Sequence, residues 1–530
     1  MPKYIVVTGG VISGLGKGIV TSSIGYLLLS QGYRVGVVKI DPYINIDAGT
    51  MRPTEHGEVY VTEDGGETDQ DLGNYERFMN IDLKKINNIT TGQVYKKVIE
   101  RERNLEYNGK CVEVIPHIPL EVINRLEKAG EGNDFVLVEI GGTVGDYQNL
   151  LFLEAVREIN RKNNCVVFVH VVYLPIPKNI GEMKTKPAQH SVRALNSAGI
   201  RPDFIVCRSS GLVDKVRREK IAVFCNVDDE NVINAYDLDV VYETPILFEK
   251  QDFTEKILKK FGLKYKKNKI NEWEKRVGKI KKLNERVKVG IVGKYFKTGD
   301  FSLIDSYISV LEAIKHAAWD LNYKPEIEWV DSNNIDEDSL RDLDCIIVPG
   351  GFGETGIDGK ILAIKYAREN DIPFLGLCYG MQLGVIEFAR NKCDLKDANS
   401  VEINEHTSFP VIDVLEEQVG ILKDKNYGGT MRLGSYKAVL LKNSLLSKLY
   451  KKDFVFERHR HRYEVNLRFK SLIEERGMIF SGFSEDRKLM EFFELNDHKF
   501  FVGTQAHPEF KSRFLNPHPL FLGLIKAAKS

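Results

Sequence analysis

The sequence predicts an α/β protein of two doubly wound, mostly parallel sheet domains joined by a linker helix, within 530 residues. Three observations predict it. Short apolar strands at 35–40, 135–139, 166–172 and 204–207 alternate with helical stripes through the first half. The first strand, residues 4–8, runs directly into a glycine-rich loop and an apolar helix. In the second half an apolar run, 372–377, enters a cysteine, and a helical stripe of Met381, Val385, Phe388 and Ala389 leaves it.

The first loop reads Gly9-Gly10-Val11-Ile12-Ser13-Gly14-Leu15-Gly16-Lys17-Gly18. Backbone N–H groups at a helix start, together with a lysine, converge on phosphate oxygens in such a loop. It departs from the usual pattern twice. Five residues separate Gly10 from Gly16 instead of four, and Gly18 stands where a hydroxyl would hold magnesium. Carboxylates elsewhere must then hold the metal. Glu139 closes an apolar strand before the glycine turn 140–146, where open α/β sheets place ligands. Glu63, Asp64, Glu67, Asp69 and Asp71 offer five more, and spacing does not choose among them.

Between the halves, residues 264–282 are lysine-rich, yet Ile270, Trp273, Val277, Ile280 and Leu283 recur at helical spacing. This predicts an amphipathic linker helix over 266–286 with a solvated lysine face, between domains at 1–265 and 287–530. A strand at 287–292 opens the second domain. The strand 345–348 then ends in Pro349-Gly350-Gly351-Phe352-Gly353.

Gly376-Leu377-Cys378-Tyr379-Gly380 has the form of a nucleophile elbow, a strand-to-helix turn that exposes a thiol and needs glycines where the backbone bends sharply. Far downstream, His507-Pro508-Glu509 supplies a base for Cys378 and a carboxylate to fix its tautomer. A helix N-terminus after Cys378 favours the thiolate and places N–H donors near a developing oxyanion. A lone cysteine is more often a buried core residue, and the His-Pro-Glu segment is what tips the reading toward catalysis.

This half resembles the triad-type class I glutamine amidotransferases, which release ammonia from glutamine. The resemblance places the oxyanion donors at Gly351 and Tyr379 and the glutamine contacts at Gly380, Met381, Gln382, Glu402 and Arg462. Over the whole chain the sequence resembles the CTP synthase family. The tracts that carry this are 39–45, 56–59, 138–146, 184–187, 428–434 and 457–466, in order within residues 3 to about 527. The family is a P-loop amidoligase (synthetase) domain fused to the amidotransferase.

The resemblance implies a ligase that aminates UTP at C4 with ammonia from glutamine, through a 4-phosphorylated UTP, consuming ATP with Mg²⁺. It assigns ATP to Gly14, Leu15, Gly16, Lys17, Gly18, Ile19, Lys39, Asp71 and the stretch Tyr236-Asp237-Leu238. It assigns UTP and the product CTP to Ser13, Asp146, Tyr147, Gln148, Lys184, Thr185, Lys186, Pro187, Ala188, Gln189 and Lys220. The metal goes to Asp71 and Glu139. Feedback inhibition by CTP, activation by GTP, an enclosed ammonia passage and a homotetramer are also implied.

Composition sets limits. Acidic and basic residues balance at 75 each, so no global field for nucleic acid is expected. Seven cysteines show no Cys-x-x-Cys pairing, which speaks against a zinc site or disulfide framework. The chain enters a strand at once, leaving no room for a signal peptide, and no apolar run approaches a membrane span. A cytoplasmic protein is expected. A cobyrinic-acid-type amidase would share the loop and triad but lack the 184–187 tract. A partitioning-type P-loop switch would leave Cys378, His507 and Glu509 without a role. A structural, filament-forming paralogue would need a broken loop or triad.

Overall fold

The computed structural model describes residues 2–530 except 268, 295, 296, 299, 300, 303, 354, 416 and 424–427. The chain forms two compact units, Met1–Asp47 with Asn74–Lys281, and Ala48–Gly73 with Lys282–Ser530.

The first unit is a seven-stranded sheet of β1 (Lys3–Gly9), β2 (Val35–Asp41), β3 (Asn88–Thr90), β4 (Phe135–Ile140), β5 (Val166–Tyr173), β6 (Phe204–Ser209) and β7 (Val232–Tyr236). Their order is β3-β2-β4-β1-β5-β6-β7, and every pairing is parallel. The strands are buried almost throughout, which is why they read as continuous Val/Ile runs instead of alternating patterns. The helix α1 (Lys17–Ser30) follows the loop after β1, and α2 (Lys186–Ser197) follows β5. The register sets Glu139 beside Val7 and Lys39, so the charged ends of β2 and β4 flank the loop after β1.

The lysine-rich stretch does carry a helix, α3 (Asn271–Ile280), that buries Trp273, Val277 and Ile280. Trp273 lies with its ring centroid 4.1 Å from that of Tyr26 and donates to the Tyr242 carbonyl at 2.6 Å. Lys264, Lys266, Lys275 and Lys279 face solvent.

The second unit is a nine-stranded sheet. Its strands are β8 (Arg286–Gly293), β9 (Lys324–Asp331), β10 (Cys345–Val348), β11 (Phe374–Leu377), β12 (Arg432–Leu440), β13 (Phe454–His461), β14 (Met478–Phe483), β15 (Met490–Leu495) and β16 (Phe501–Thr504). The order is β9-β8-β10-β11-β16-β15-β14-β12-β13. The five strands from β9 to β16 are parallel, and β15, β14, β12 and β13 extend them antiparallel. The helices α4 (Ile308–Asp320), α5 (Ile357–Glu369) and α6 (Tyr379–Lys392) pack on it.

Residues 48–73 belong to this second unit for identifiable reasons. Arg458, fully buried, donates to Glu63 at 2.8 Å and to the Tyr60 hydroxyl and Val61 carbonyl, each at 3.1 Å. Arg460 donates to Glu67 at 2.8 Å. The Glu58 carboxylate accepts from the Ser309 N–H at 3.0 Å, in the first turn of α4, where the helix dipole favours an anion. Backbone meets backbone at Gly65 and Gly434: a Cβ on Gly434 would stand 2.6 Å from the Gly65 nitrogen. Among the described residues no helix is long and apolar enough to cross a membrane.

Candidate functional site: a cysteine elbow and a phosphate loop

In the second unit, β11 lies between β10 and β16, and the ends of these three strands deliver the turn, the thiol and the base. Cys378 sits at φ 50°, ψ −101°, a strained conformation for a residue with a Cβ and the mark of an elbow. Its glycines are sterically required. A Cβ on Gly376 would lie 2.7 Å from the Gly380 carbonyl carbon, and one on Gly380 would lie 2.0 Å from the Val348 oxygen. The Cys378 N–H donates to the Thr504 carbonyl at 2.7 Å, locking the elbow to β16.

His507 Nδ1 and Glu509 Oε1 are 2.7 Å apart. The imidazole stacks on Phe510 with ring centroids 5.2 Å apart, and its backbone N–H donates to the Arg458 carbonyl at 2.7 Å. Nε2 is buried with no hydrogen-bond partner among the described residues. Burial disfavours charge on His507, yet Glu509 and the Cys378 side chain outweigh it and lift the imidazole to about 10. Gly350 closes over both groups: its Cβ would stand 2.8 Å from His507 Cε1 and 3.7 Å from Cys378 Cβ. A Cβ on Gly351 would lie 3.9 Å from Tyr379 Cδ1, so the two residues assigned the oxyanion are neighbours. The Tyr379 hydroxyl donates to the Gly353 carbonyl at 2.8 Å.

A cavity of about 220 Å³ opens beside Cys378 and His507, walled by Met51, Glu58, Phe352 and Arg460. The expected glutamine contacts Gln382, Glu402 and Arg462 are not in its lining. Gln382 reaches the thiol through one amide: it donates to Gln505 Oε1 at 3.3 Å, and Gln505 stands 3.7 Å from Sγ. Glu402 accepts from the Gly353 N–H at 3.1 Å, and burial pushes its carboxyl up. Arg462 is held by Gln418 and by Thr430 at 3.0 Å. Gly380 and Met381 are buried in the first turn of α6. Gln505 was not singled out from the sequence, although it lies two residues before the base.

In the first unit the loop after β1 carries φ values of 81° at Val11, 67° at Gly14 and 88° at Gly16 before α1 starts at Lys17. Lys17 Nζ donates to the Gly142 carbonyl at 2.9 Å. A cavity of about 290 Å³ is lined by Gly16, Ile19, Tyr236, Asp237 and Leu238, so the expected adenine stretch and the loop share one pocket. Arg208, missed in the sequence, also lines it, bonding the Ala235 carbonyl at 2.7 Å and Asp237 at 2.8 Å. Leu15 is buried beneath the loop and Gly18 lies inside α1.

Glu139 is buried, accepts from the Tyr75 hydroxyl at 2.6 Å and lies 3.7 Å from Lys39 Nζ. Of the five carboxylates at 63–71, Glu63 and Glu67 neutralise Arg458 and Arg460. Asp64 accepts from Thr62 at 2.7 Å, and Asp69 accepts from the Asp71 N–H at 2.9 Å, at the start of the helix Asp71–Met79. Among the described residues no three or more His, Cys, Asp or Glu side chains gather as a metal cage. A hard carboxylate beside a phosphate loop fits Mg²⁺ held by one or two protein oxygens and the nucleotide's phosphates.

The expected pyrimidine-nucleotide residues cluster by element. Thr185 immediately precedes α2, Lys186 and Pro187 open it, and Ala188 and Gln189 turn inward, with Gln189 donating to Thr185 Oγ1 at 3.1 Å. Lys184 pairs with Glu182 at 2.7 Å. Gly10 abuts Ser191 of α2 and Gly145 abuts Ala194, which brings the loops bearing Ser13 and Asp146-Tyr147-Gln148 to the same helix. Ser13, Asp146, Tyr147, Gln148 and Lys220 are exposed. His170 bridges Thr8 of β1 at 2.8 Å and Ser191 of α2 at 2.6 Å, and burial pushes it down to about 3, so it bridges as a neutral ring.

A thiol elbow with its histidine–carboxylate pair on one sheet, and a phosphate loop on another, define a ligase that takes its nitrogen from an amide. Comparisons with known proteins agree. The CTP synthase N-terminus family matches residues 3–263 and class-I glutamine amidotransferase matches 302–527. The CTP synthase of Pyrococcus abyssi is 51% identical over 537 residues, 100% of this chain and 98% of that protein. That of Methanocaldococcus jannaschii is 51% identical over 540 residues, covering 99% and 98%. That of Sulfolobus acidocaldarius is 48% identical over 538 residues, covering 100% of both. The chain belongs to the CTP synthase family and is a glutamine-hydrolysing ligase.

Proposed function

We propose that the chain converts UTP to CTP by two coupled half-reactions, with glutamine hydrolysed at Cys378 and UTP activated at the phosphate loop. The observation that carries the first half is the strained Cys378 elbow facing a histidine that Glu509 orients through a 2.7 Å contact to Nδ1. The Cys378 sulfur attacks the glutamine amide carbon, and the π electron pair moves to oxygen, toward the N–H groups of Gly351 and Tyr379. His507 takes the thiol proton and gives it to the departing ammonia, leaving a thioester. Water then cleaves the thioester with His507 as base, releasing glutamate. Gln382, Glu402 and Arg462 orient the amino-acid end of glutamine.

The C4 oxygen of UTP is a poor leaving group, so it first receives the γ-phosphoryl group of ATP; ammonia then displaces phosphate. Lys17 and Lys39 offset charge spreading over the transferring phosphoryl oxygens. Mg²⁺, held by Glu139 and Asp71, would add charge neutralisation along the ATP phosphates. Tyr236-Asp237-Leu238 receives the adenine. Lys184, Lys186 and Lys220, with the N-terminus of α2, suit a triphosphate, and CTP inhibits by occupying the same subsite. GTP activates the glutaminase, and the enzyme works as a cytoplasmic homotetramer without nucleic acid.

The test uses purified protein with UTP, ATP, Mg²⁺ and a nitrogen donor. Wild type should form CTP with glutamine or ammonia, and Cys378→Ala with ammonia alone. Loss of both activities in a folded Cys378→Ala protein would refute the division of labour.

A further inference from the structure

Lys360 has no part in the chemistry above, yet its place in the second unit is unusual. It is completely buried, in the first turn of α5, where the helix dipole already disfavours a cation. Burying an ammonium without a function is strongly unfavourable. Its Nζ lies 5.2 Å from the centroid of the Tyr379 ring and 3.7 Å from the point where a Cβ on Gly351 would stand. Tyr379 and Gly351 are the two residues whose backbone N–H groups receive the oxyanion in the glutaminase reading. The far side of the same glycine turn is already fixed. Lys294 donates to the Phe352 carbonyl, the Tyr379 hydroxyl to the Gly353 carbonyl at 2.8 Å, and the Gly353 N–H to Glu402 at 3.1 Å.

We propose that Lys360 is a positioning residue of the glutaminase, its buried ammonium setting Gly351 and the Tyr379 ring in place and adding positive field where negative charge develops on the substrate oxygen. The inference rests on the glutaminase reading and goes beyond it by placing a cation behind the oxyanion donors. The step it serves is the formation of the tetrahedral adduct. There the Sγ–C bond forms, the C=O π pair becomes an oxygen lone pair, and the thiol proton resides on His507. Burial and the neighbouring Lys294 push the Lys360 ammonium down to about 7. A negative charge arising beside it would hold its proton in place, so the group is charged when the adduct needs it. Among the described residues, the titratable groups that bear on it are Lys294, just past the end of β8, and Tyr379 on α6; Glu402 in turn offsets the charge of Lys294.

Lys360→Met keeps the chain length and removes the charge. In the full-length protein, kcat for glutamine hydrolysis should fall roughly 10- to 100-fold, somewhat less than loss of a direct oxyanion donor, with KM for glutamine within about twofold. Affinity for the aldehyde analogue of glutamine, which adds Cys378 to give a tetrahedral adduct, should fall by the same factor as kcat. Alkylation of Cys378 by iodoacetamide displaces iodide at a saturated carbon and builds no oxyanion, so its rate should stay at the wild-type value. Lys360→Arg keeps a cation and should recover most of the lost affinity for the aldehyde. Parallel losses in alkylation, KM and aldehyde affinity, or equal losses in the Met and Arg variants, assign Lys360 to packing and overturn the proposal. A wild-type protein that does not hydrolyse glutamine overturns the glutaminase reading instead.

Discussion

Gly350→Ala isolates the geometry of the triad from its chemistry, because it adds one methyl group and alters no reacting atom. The new Cβ would stand 2.8 Å from His507 Cε1 and 3.6 Å from Nδ1. Carbon atoms in contact settle at about 3.5–4.0 Å, so the ring must withdraw by roughly 0.7–1.2 Å. It has little freedom to do so: Phe510 stacks on it, Glu509 holds Nδ1 at 2.7 Å, and the His507 backbone is bonded to Arg458. A retreat therefore misaligns Nε2 with the thiol or stretches the Glu509 contact. A misplacement of this size reduces turnover by about 100-fold, and the overpacking destabilises the fold by about 1–3 kcal/mol. Stopped assays of glutamate release, paired with ammonia-dependent CTP formation, read the two units separately. Glutaminase kcat should collapse while ammonia-dependent synthesis stays near wild type. A Gly350→Ala glutaminase within about threefold of wild type would show that the base is not held as described. Gly380→Ala is the contrast, because its Cβ would meet the Val348 carbonyl at 2.0 Å, a clash with backbone that should prevent the elbow from forming.

Glu139→Gln and Asp71→Asn should each abolish CTP formation with glutamine or ammonia while basal glutamine hydrolysis persists; wild-type ammonia-dependent rates with unchanged magnesium dependence would remove both from the metal site. Lys184→Ala and Lys186→Ala should weaken UTP and CTP binding together by about ten- to a hundredfold, as expected of about 1.5–3 kcal/mol per charge-assisted contact. Lys184 should fall at the lower end, since it gives up its 2.7 Å pairing with Glu182 to bind. Calorimetry decides this, and CTP affinity untouched beside weakened UTP would place inhibition in another pocket. For pH, His507 is raised from 6.5 to about 10, so its charged form stabilises the fold fully below pH 6.5 and that contribution fades as pH rises through about 10. Glu509→Gln should lower the melting temperature most near pH 6, with the gap to wild type narrowing as pH rises and closing above pH 10; a gap constant from pH 6 to 11 would contradict the ion pair.

The parts of this architecture legible in the sequence are those where one physical requirement dominates. Strands buried on both faces show as Val/Ile runs, and turns that admit no Cβ show as glycines, so β1, β4, β10 and the elbow could be located without structure. The antiparallel half of the second sheet was not legible. In β13, Phe454 and Phe456 are exposed while Glu457, Arg458, His459 and His461 are buried, inverting the usual relation between polarity and burial. A pattern read by hydropathy fails where a strand's buried face is charged and satisfied by partners elsewhere. Arg208, Lys360 and Gln505 were hidden for a related reason: the pocket or neighbour that each one meets is supplied only by the fold.

Those hidden partners also account for the acidic stretch at 63–71. By spacing, its five carboxylates were equivalent metal candidates. The fold separates them by charge balance, since Glu63 meets an arginine 395 residues away and Glu67 meets another 393 residues away. The charge of each glutamate is already offset by an arginine, which makes both poorer donors to a metal. Arg458 and Arg460 belong to the strand whose backbone touches the triad: the Arg458 carbonyl holds the His507 N–H at 2.7 Å, and the Arg460 carbonyl lies 3.7 Å from Cys378 Sγ. Residues 48–73, matched by the N-terminal family, thus brace the strand whose carbonyls reach His507 and Cys378. The two acidic–basic tracts meet in the Glu63–Arg458 and Glu67–Arg460 ion pairs, on the same residues whose carbonyls reach His507 and Cys378.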